Sequence, residues 1–237
     1  MIDELQEMID KSNNIVFFGG AGVSTESGIK DFRSKDGLYN MKYKYNPEEI
    51  LSHHFFMNNL EEFYIFYKDK LNCLDALPST CHNFLTNLEK SGKLKAIITQ
   101  NIDGLHTKAN SKNIFELHGS IYRNYCMKCS KFYDASYIFK NDGIPKCECG
   151  GIIKPDVVLY EEALNDSIVE GSIRAIEKAD MLIVAGTSLT VYPASGLINY
   201  FHGKYLVIIN NDETTYDSRA NLVIHDSLKN VFSKLKA

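Results

Sequence analysis

Apolar residues fall into two kinds of run along this chain. Short, mainly apolar runs of strand length occur at Ile15-Val16-Phe17-Phe18, at 95–99, at Ile114-Phe115-Glu116-Leu117 and at Val157-Val158-Leu159-Tyr160. They recur at Met181-Leu182-Ile183-Val184-Ala185, at 205–209 and at Leu222-Val223-Ile224. Such runs read as strands, most of them buried on both faces. Between them apolar positions follow a helical period: 2–12 (with Ile2, Leu5, Met8 and Ile9), 79–91 closed by Gly92, 164–179, 193–202 closed by Gly203, and 226–236. Strands alternating with helices predict an α/β chain with a doubly wound parallel sheet. Two stretches break the alternation. Residues 36–76 are rich in aromatics with helical spacing near 48–70, which predicts a helical insertion, and 121–154 form a cysteine-bearing insertion. No repeat or low-complexity linker separates them, so both are expected to pack on the sheet.

Ligands of open α/β sheets bind beyond the carboxyl ends of the strands. Those ends are polar here: Gly19-Gly20-Ala21-Gly22, Gln100-Asn101-Ile102-Asp103, His118-Gly119, Gly186-Thr187-Ser188 and Asn210-Asn211. Each alone could be a turn; five together predict one convergent site. The first reads as strand, glycine turn and helix start, where free N–H groups favour a pyrophosphate. Position 25 lacks a third glycine and no acidic residue ends a second strand about 20 residues on, so an ordinary dehydrogenase fingerprint fits poorly. A turn serving only chain reversal stays open at this point. Among Asp31, Arg33, Asp103, His106 and His118, the candidate general base is His118, because it ends a strand and Gly119 leaves room beside its ring. His53, His54, His82, His202 and His225 read as structural.

Charge and cysteines narrow the picture. The 237 residues carry 26 basic and 30 acidic side chains, net −4, so no direct nucleic-acid binding and no membrane attachment is expected. No apolar run approaches the roughly 18 residues of a spanning helix, and Met1-Ile2-Asp3-Glu4-Leu5 is acidic where a signal peptide is basic, which reads as cytoplasmic. Of six cysteines, Cys126, Cys129, Cys147 and Cys149 cluster, with 17 residues between the pairs, near zinc-ribbon spacing. Four thiolates leave no open coordination position, so the metal is assigned to structure. A redox or disulfide pair is the alternative; Cys73 and Cys81 read as buried thiols.

With these segments in one order, the chain resembles the sirtuins, NAD-dependent protein-lysine deacylases, over essentially its full length. The motifs are Gly20-Ala21-Gly22-Val23-Ser24, Gly28-Ile29-Lys30-Asp31-Phe32-Arg33, Thr99-Gln100-Asn101-Ile102-Asp103-Gly104-Leu105-His106, His118-Gly119, the four cysteines and Gly186-Thr187-Ser188-Leu189. The resemblance implies a Rossmann-like NAD-binding domain of 1–35, 77–120 and 155–237, with a small domain built from the 36–76 helical insertion and the 121–154 zinc ribbon. It implies that Gly20, Ala21, Gly22 and Thr25 face the cofactor phosphates and that Asp31, Phe32 and Arg33 belong to a flap over NAD. Gln100, Asn101, Ile102 and Asp103 would hold the nicotinamide end. Gly186, Thr187, Ser188, Asn210, Asp226 and Ser227 would hold the adenosine half. Residues 156–162, with Val157, Val158, Leu159 and Tyr160, and residues 190–193, with Val191, would clamp an acyl-lysine peptide by β-augmentation. NAD would be consumed as co-substrate and zinc would be structural. His118 and Asn101 would be the catalytic pair, with nicotinamide and O-acyl-ADP-ribose as products.

The sequence departs from the family pattern in three places: Lys30 replaces a proline, Cys147-Glu148-Cys149 is one residue short, and Tyr160-Glu161-Glu162 replaces Phe-Gly-Glu. Members that prefer succinyl or malonyl groups carry Tyr-x-x-Arg where this chain has Tyr64-Ile65-Phe66-Tyr67. Acetyl or longer apolar acyl groups are therefore expected. The competing readings are an ADP-ribosyltransferase on the same scaffold, a non-catalytic NAD sensor and a hydride-transferring dehydrogenase.

Overall fold

The computed structural model describes residues 1–31 and 44–237. Phe32 and Arg33 lie outside the described residues. The strands are β1 (Ile15–Gly19), β2 (Leu94–Thr99), β3 (Ile114–Glu116), β4 (Gly119–Cys126), β5 (Phe132–Tyr133), β6 (Ile153–Val157), β7 (Met181–Ala185), β8 (Tyr205–Ile209) and β9 (Leu222–Ile224). The helices are α1 (Ile2–Lys11), α2 (Pro47–Ile50), α3 (His53–Asn58), α4 (Leu60–Lys70), α5 (Thr80–Lys90), α6 (Leu105–Lys108), α7 (Ala135–Lys140), α8 (Asp166–Lys178) and α9 (Leu228–Phe232).

Six strands form one sheet in the order β3-β2-β1-β7-β8-β9, with every pairing parallel. The unbroken apolar runs are explained by burial of both faces. Phe17, Ile97, Ile183 and Val207 pack with Leu5 and Ile9 of α1, Leu85 and Leu88 of α5, and Phe232 of α9. Val16, Phe18, Ile98, Leu182 and Ile208 point the other way, against Ile176 of α8 and Leu197 and Ile198. Each such side chain contributes on the order of 1.5–3 kcal/mol of burial, which anchors the strand ends that carry the polar residues.

The small sheet is antiparallel in the order β5-β4-β6. It shares an apolar cluster with α3 and α4, in which Phe55, Phe56, Phe63, Tyr64, Phe66 and Tyr67 meet Ile121, Tyr133 and Ile153. Tyr67 stacks between Phe63 and Phe139, at 5.6 Å from each. The Tyr64 hydroxyl donates to the Ile153 carbonyl, so these aromatics serve the core.

Several boundaries differ from expectation. The strand expected at 157–160 is β6, ending at Val157, and it lies in the small sheet. In Ile153-Lys154-Pro155-Asp156-Val157 buried and half-buried residues alternate, as suits a strand covered on one face. Residues 193–202 form a 3-10 helix at Ala194–Tyr200. The 48–70 pattern divides into α2, α3 and α4, because Ser52 caps α3 and Asn59 ends it. No α-helix starts at the first glycine turn; Ala21–Val23 and Thr25–Ser27 are 3-10 turns. Among the described residues, no helix is long and apolar enough to cross a membrane.

Candidate active site

Sheet order reverses between β1 and β7, so their carboxyl ends open a crevice of the kind where such sheets bind ligands. Its floor is a backbone contact. The Gly22 N–H donates to the Gly186 carbonyl at 2.8 Å, and a Cβ on Gly22 would lie 2.6 Å from the Gly186 Cα. Gly20 is equally confined, 2.7 Å from the Thr187 Cβ. These glycines first allow two strand-end loops to meet. The 3-10 turns begin at Ala21 and Thr25, whose N–H groups have no backbone partner among the described residues, a short form of the expected anion seat. The Thr25 hydroxyl donates to the Gly22 carbonyl at 3.0 Å.

Side chains then join the loops. Gln100 Nε2 donates to Thr187 Oγ1 at 3.0 Å, tying the end of β2 to that of β7. Asn101 Nδ2 donates to Ser24 Oγ at 3.1 Å, and Ser24 donates to the Asp103 carboxylate at 2.6 Å. Asp103 is 5% exposed and also accepts the Leu105 N–H at 2.9 Å. Burial raises its pKa against the pull of these two bonds. Ser24, buried at the centre of this network, received no role in the sequence reading; it was visible only as part of the glycine motif. Ile102 is half-buried and packs toward the small-sheet cluster.

His118 lies where the chain passes from β3 to β4. Its Nδ1 is 2.8 Å from the Gln100 carbonyl, and a carbonyl only accepts. The neutral ring is therefore protonated on Nδ1 and carries its free lone pair on Nε2, which no described residue engages. Burial lowers its pKa, partly offset by that bond, so the neutral form is favoured.

The other expected residues have their own local partners. His106 is 2% exposed, its ring 4.4 Å from that of His82, with both nitrogens unpartnered among the described residues. It belongs to the core beneath the loops, because α6 turns it inward. Asp226 accepts from the Ser227 N–H and from Asn230 Nδ2, and Ser227 caps α9, so both organise that helix start. Asn210 Nδ2 donates to the Asp212 carbonyl at 3.0 Å, and Ser188 Oγ pairs with Thr190 Oγ1 at 2.8 Å. Asp31 is half-buried.

On the far side of His118, Val157 and Leu159 are buried and Tyr160 is 37% exposed. The Val158 N–H donates to the His118 carbonyl at 3.0 Å. A parallel bridge joins Tyr160 to Ser52, with the Tyr160 N–H on the Leu51 carbonyl and the His53 N–H on the Tyr160 carbonyl. Val191 is half-buried, and its carbonyl accepts from the Ser195 N–H. Glu161 adopts φ +75°, and its carboxylate accepts the His54 N–H at 2.9 Å.

The Sir2 family model matches residues 20–193. The chain belongs to the Sir2 family. It is 59% identical over 238 residues to a Clostridium perfringens protein named NAD-dependent protein deacetylase, covering 99% of this chain and 98% of that relative. A Clostridium acetobutylicum protein of the same name is 58% identical, with 97% and 96% covered. A solved complex of Sir2 with a p53 peptide and NAD+ is similar at a TM-score of 0.88 and 35% identity, covering 99% of this chain and 96% of that one. Another, a Sir2 variant with a deacetylated p53 peptide and 3′-O-acetyl-ADP-ribose, has a TM-score of 0.91 at 35% identity, covering 98% and 96%.

The Sir2 cysteines meet away from the crevice, on the small sheet. Cys126 and Cys149 Sγ are 3.5 Å apart, Cys129 and Cys147 3.5 Å, and Cys149 and Cys129 3.4 Å, with all four sulfurs within 4.8 Å of one another. Zn–S bonds of about 2.3 Å in a tetrahedron require sulfurs roughly 3.8 Å apart, so the donor set and spacing fit zinc. The short second pair closes because the Gly150 N–H donates to the Cys147 carbonyl at 2.8 Å and Gly150 adopts φ +78°. Lys68, next to the acyl motif, is engaged: its Nζ donates to the carbonyls of Asn141, at 2.6 Å, and Gly143.

Proposed function

We infer that this Sir2-family chain is an NAD-dependent protein-lysine deacetylase. The observation that carries the reading is His118, a half-buried, neutral imidazole whose Nδ1–H is committed to the Gln100 carbonyl and whose Nε2, engaged by no described residue, can take a proton. NAD is consumed as co-substrate together with one water: the glycosidic bond to nicotinamide and the acyl–lysine amide bond break, the acyl group passes to the ribose, and nicotinamide and the free lysine amine leave. In this reading Gly20, Ala21, Gly22 and Thr25 seat the pyrophosphate, and Asp31, Phe32 and Arg33 bind NAD as part of the flap that the resemblance implies. Gln100, Asn101, Ile102 and Asp103 line the nicotinamide end, and Gly186, Thr187, Ser188, Asn210, Asp226 and Ser227 the adenosine end. Asn101 orients the reacting end from its bond to Ser24, and His118 Nε2 removes a ribose hydroxyl proton. Val157, Val158, Leu159 and Tyr160 form one rim of an acyl-lysine peptide cleft and Val191 the other.

Cys126, Cys129, Cys147 and Cys149 hold one zinc, which keeps the small sheet folded and takes no part in the reaction. We assign 1–35, 77–120 and 155–237 to the NAD-binding domain, and 36–76 with 121–154 to the small one; the shared aromatic cluster of α3, α4 and β4 supports that division. The substrate is an acyl-lysine protein, with no direct nucleic-acid or membrane partner. A cytoplasmic location agrees with four clustered free thiols held for a metal rather than paired.

The test is mass spectrometry of the products formed from NAD and a panel of acyl-lysine peptides. Nicotinamide and O-acyl-ADP-ribose should appear only with acylated peptide, and His118→Ala should lower kcat by roughly 10²–10⁴-fold. Acetyl peptide should react faster than succinyl peptide, because Tyr64-Ile65-Phe66-Tyr67 offers no arginine to pair the second carboxylate and the neighbouring Lys68 is held by backbone carbonyls. NAD-derived label remaining on protein, or reduced nicotinamide among the products, would overturn the assignment.

A further inference from the structure

The chain crosses from the large sheet to the small one at His118, between Glu116 at the end of β3 and Gly119 at the start of β4. Arg123 reaches back from β4 over this crossing. Its Nη1 donates to Glu116 Oε2 at 2.6 Å and its Nε to Asp156 Oδ2 at 2.7 Å. Glu116 belongs to β3 and Asp156 to β6, so one guanidinium holds both sheets. Among the described residues, Arg123–Glu116 is the one ion pair joining them.

A register shift between Ser120 and Asn124 interrupts the β4–β6 ladder where Arg123 departs. Gly119, at φ +76°, is pressed so closely on β6 that a Cβ there would lie 1.9 Å from the Asp156 carbonyl oxygen. Any change in the separation of β3 and β6 therefore moves His118, whose carbonyl also receives the Val158 N–H. A planar guanidinium with donors in a rigid fork sets that separation in a way a flexible ammonium does not.

We propose that Arg123 is a positioning residue of the reaction: it ties β3 to β6 across His118 and so fixes the base relative to the peptide rim. This rests on the reading of His118 as the base. Arg123 is 39% exposed, so the tie adds little to global stability; its effect lies in geometry.

The experiment compares kcat and KM of the zinc-loaded full chain with Arg123→Gln, Arg123→Lys, Glu116→Gln and the Arg123→Gln/Glu116→Gln double variant, with His118→Ala as reference. Arg123→Gln should lower kcat about tenfold while KM for NAD and zinc content stay within twofold. Arg123→Lys, which can pair one carboxylate at a time, should recover part of the loss. The double variant should be no slower than the slower single one, because both remove the same tie. An unchanged kcat in Arg123→Gln, or additive losses in the double variant, would overturn the positioning role. A fall in melting temperature with kcat unchanged would reduce Arg123 to a structural residue. Full turnover by His118→Ala would instead reject the base assignment, an outcome independent of the Arg123 comparison.

Discussion

His82 and His106 are buried with nearly touching rings, and neither can gain a proton without cost. Burial lowers the His82 pKa from 6.5 to about 4 and holds that of His106 well below its usual value, with the neighbouring His82 adding to it. The sign follows from linkage. The unfolded chain binds protons near pH 6.5 while folded His82 resists them to about 4, so stability is full above 6.5 and falls as the pH drops through that window. For His82 this amounts to about 3 kcal/mol by pH 4. The urea midpoint should drop steadily from pH 6.5 to 4.5, and His82→Gln, which keeps an acceptor for the Ser79 N–H, should flatten the slope. A wild-type midpoint independent of pH over that range would contradict this. The sequence showed both histidines but not their proximity, since they lie 24 positions apart and meet only because α5 and α6 pack together.

At the scale of elements, the contact between the ends of β1 and β7 decides whether the crevice has a floor. Gly22→Ala places a methyl group against the Gly186 backbone, and overpacking of that kind costs on the order of 1–3 kcal/mol. NAD affinity, measured by calorimetry, should fall at least tenfold while the far-ultraviolet dichroism is retained; unchanged affinity would show that the two loops yield freely. The strand lengths of β7, β8 and β9 were legible because each is an unbroken apolar run, fully buried in β7 and with only Tyr205 and Val223 half-buried in β8 and β9. β6 was not, because its alternating Ile153-Lys154-Pro155-Asp156-Val157 lacks the unbroken apolar run by which the large-sheet strands were recognised. The 3-10 turns after β1 were equally hidden, since a glycine motif sets where the chain turns and not which helix type follows.

Across the whole molecule, two cores of different character meet at His118. The large sheet is held by mainly aliphatic burial on both faces, with Phe17, Phe18 and Phe232 among it, whereas the small one combines an aromatic cluster with the buried Cys126 and Cys147. Removing zinc with a chelator leaves four thiols within 4.8 Å and no ion to hold them. Hydrogen exchange at β4, β5 and β6 should then accelerate at least tenfold while β1 and β7 stay protected, and metal analysis of the starting protein should give about one zinc per chain. Equal protection with and without metal would remove zinc from the structural account.

The sequence by itself determined the alternation of strands and helices, the polar strand ends, the thiol pairs and the family, because each is written in neighbouring residues. Tertiary structure decided which of those residues face one another. It turned His106 into the core, made Ser24 the centre of the Asn101–Asp103 network, fixed the His118 Nδ1 on the Gln100 carbonyl and brought Glu116 and Asp156 to Arg123. These outcomes depend on side chains meeting across the sheets, and local pattern carries no record of a distance between residues far apart in the chain.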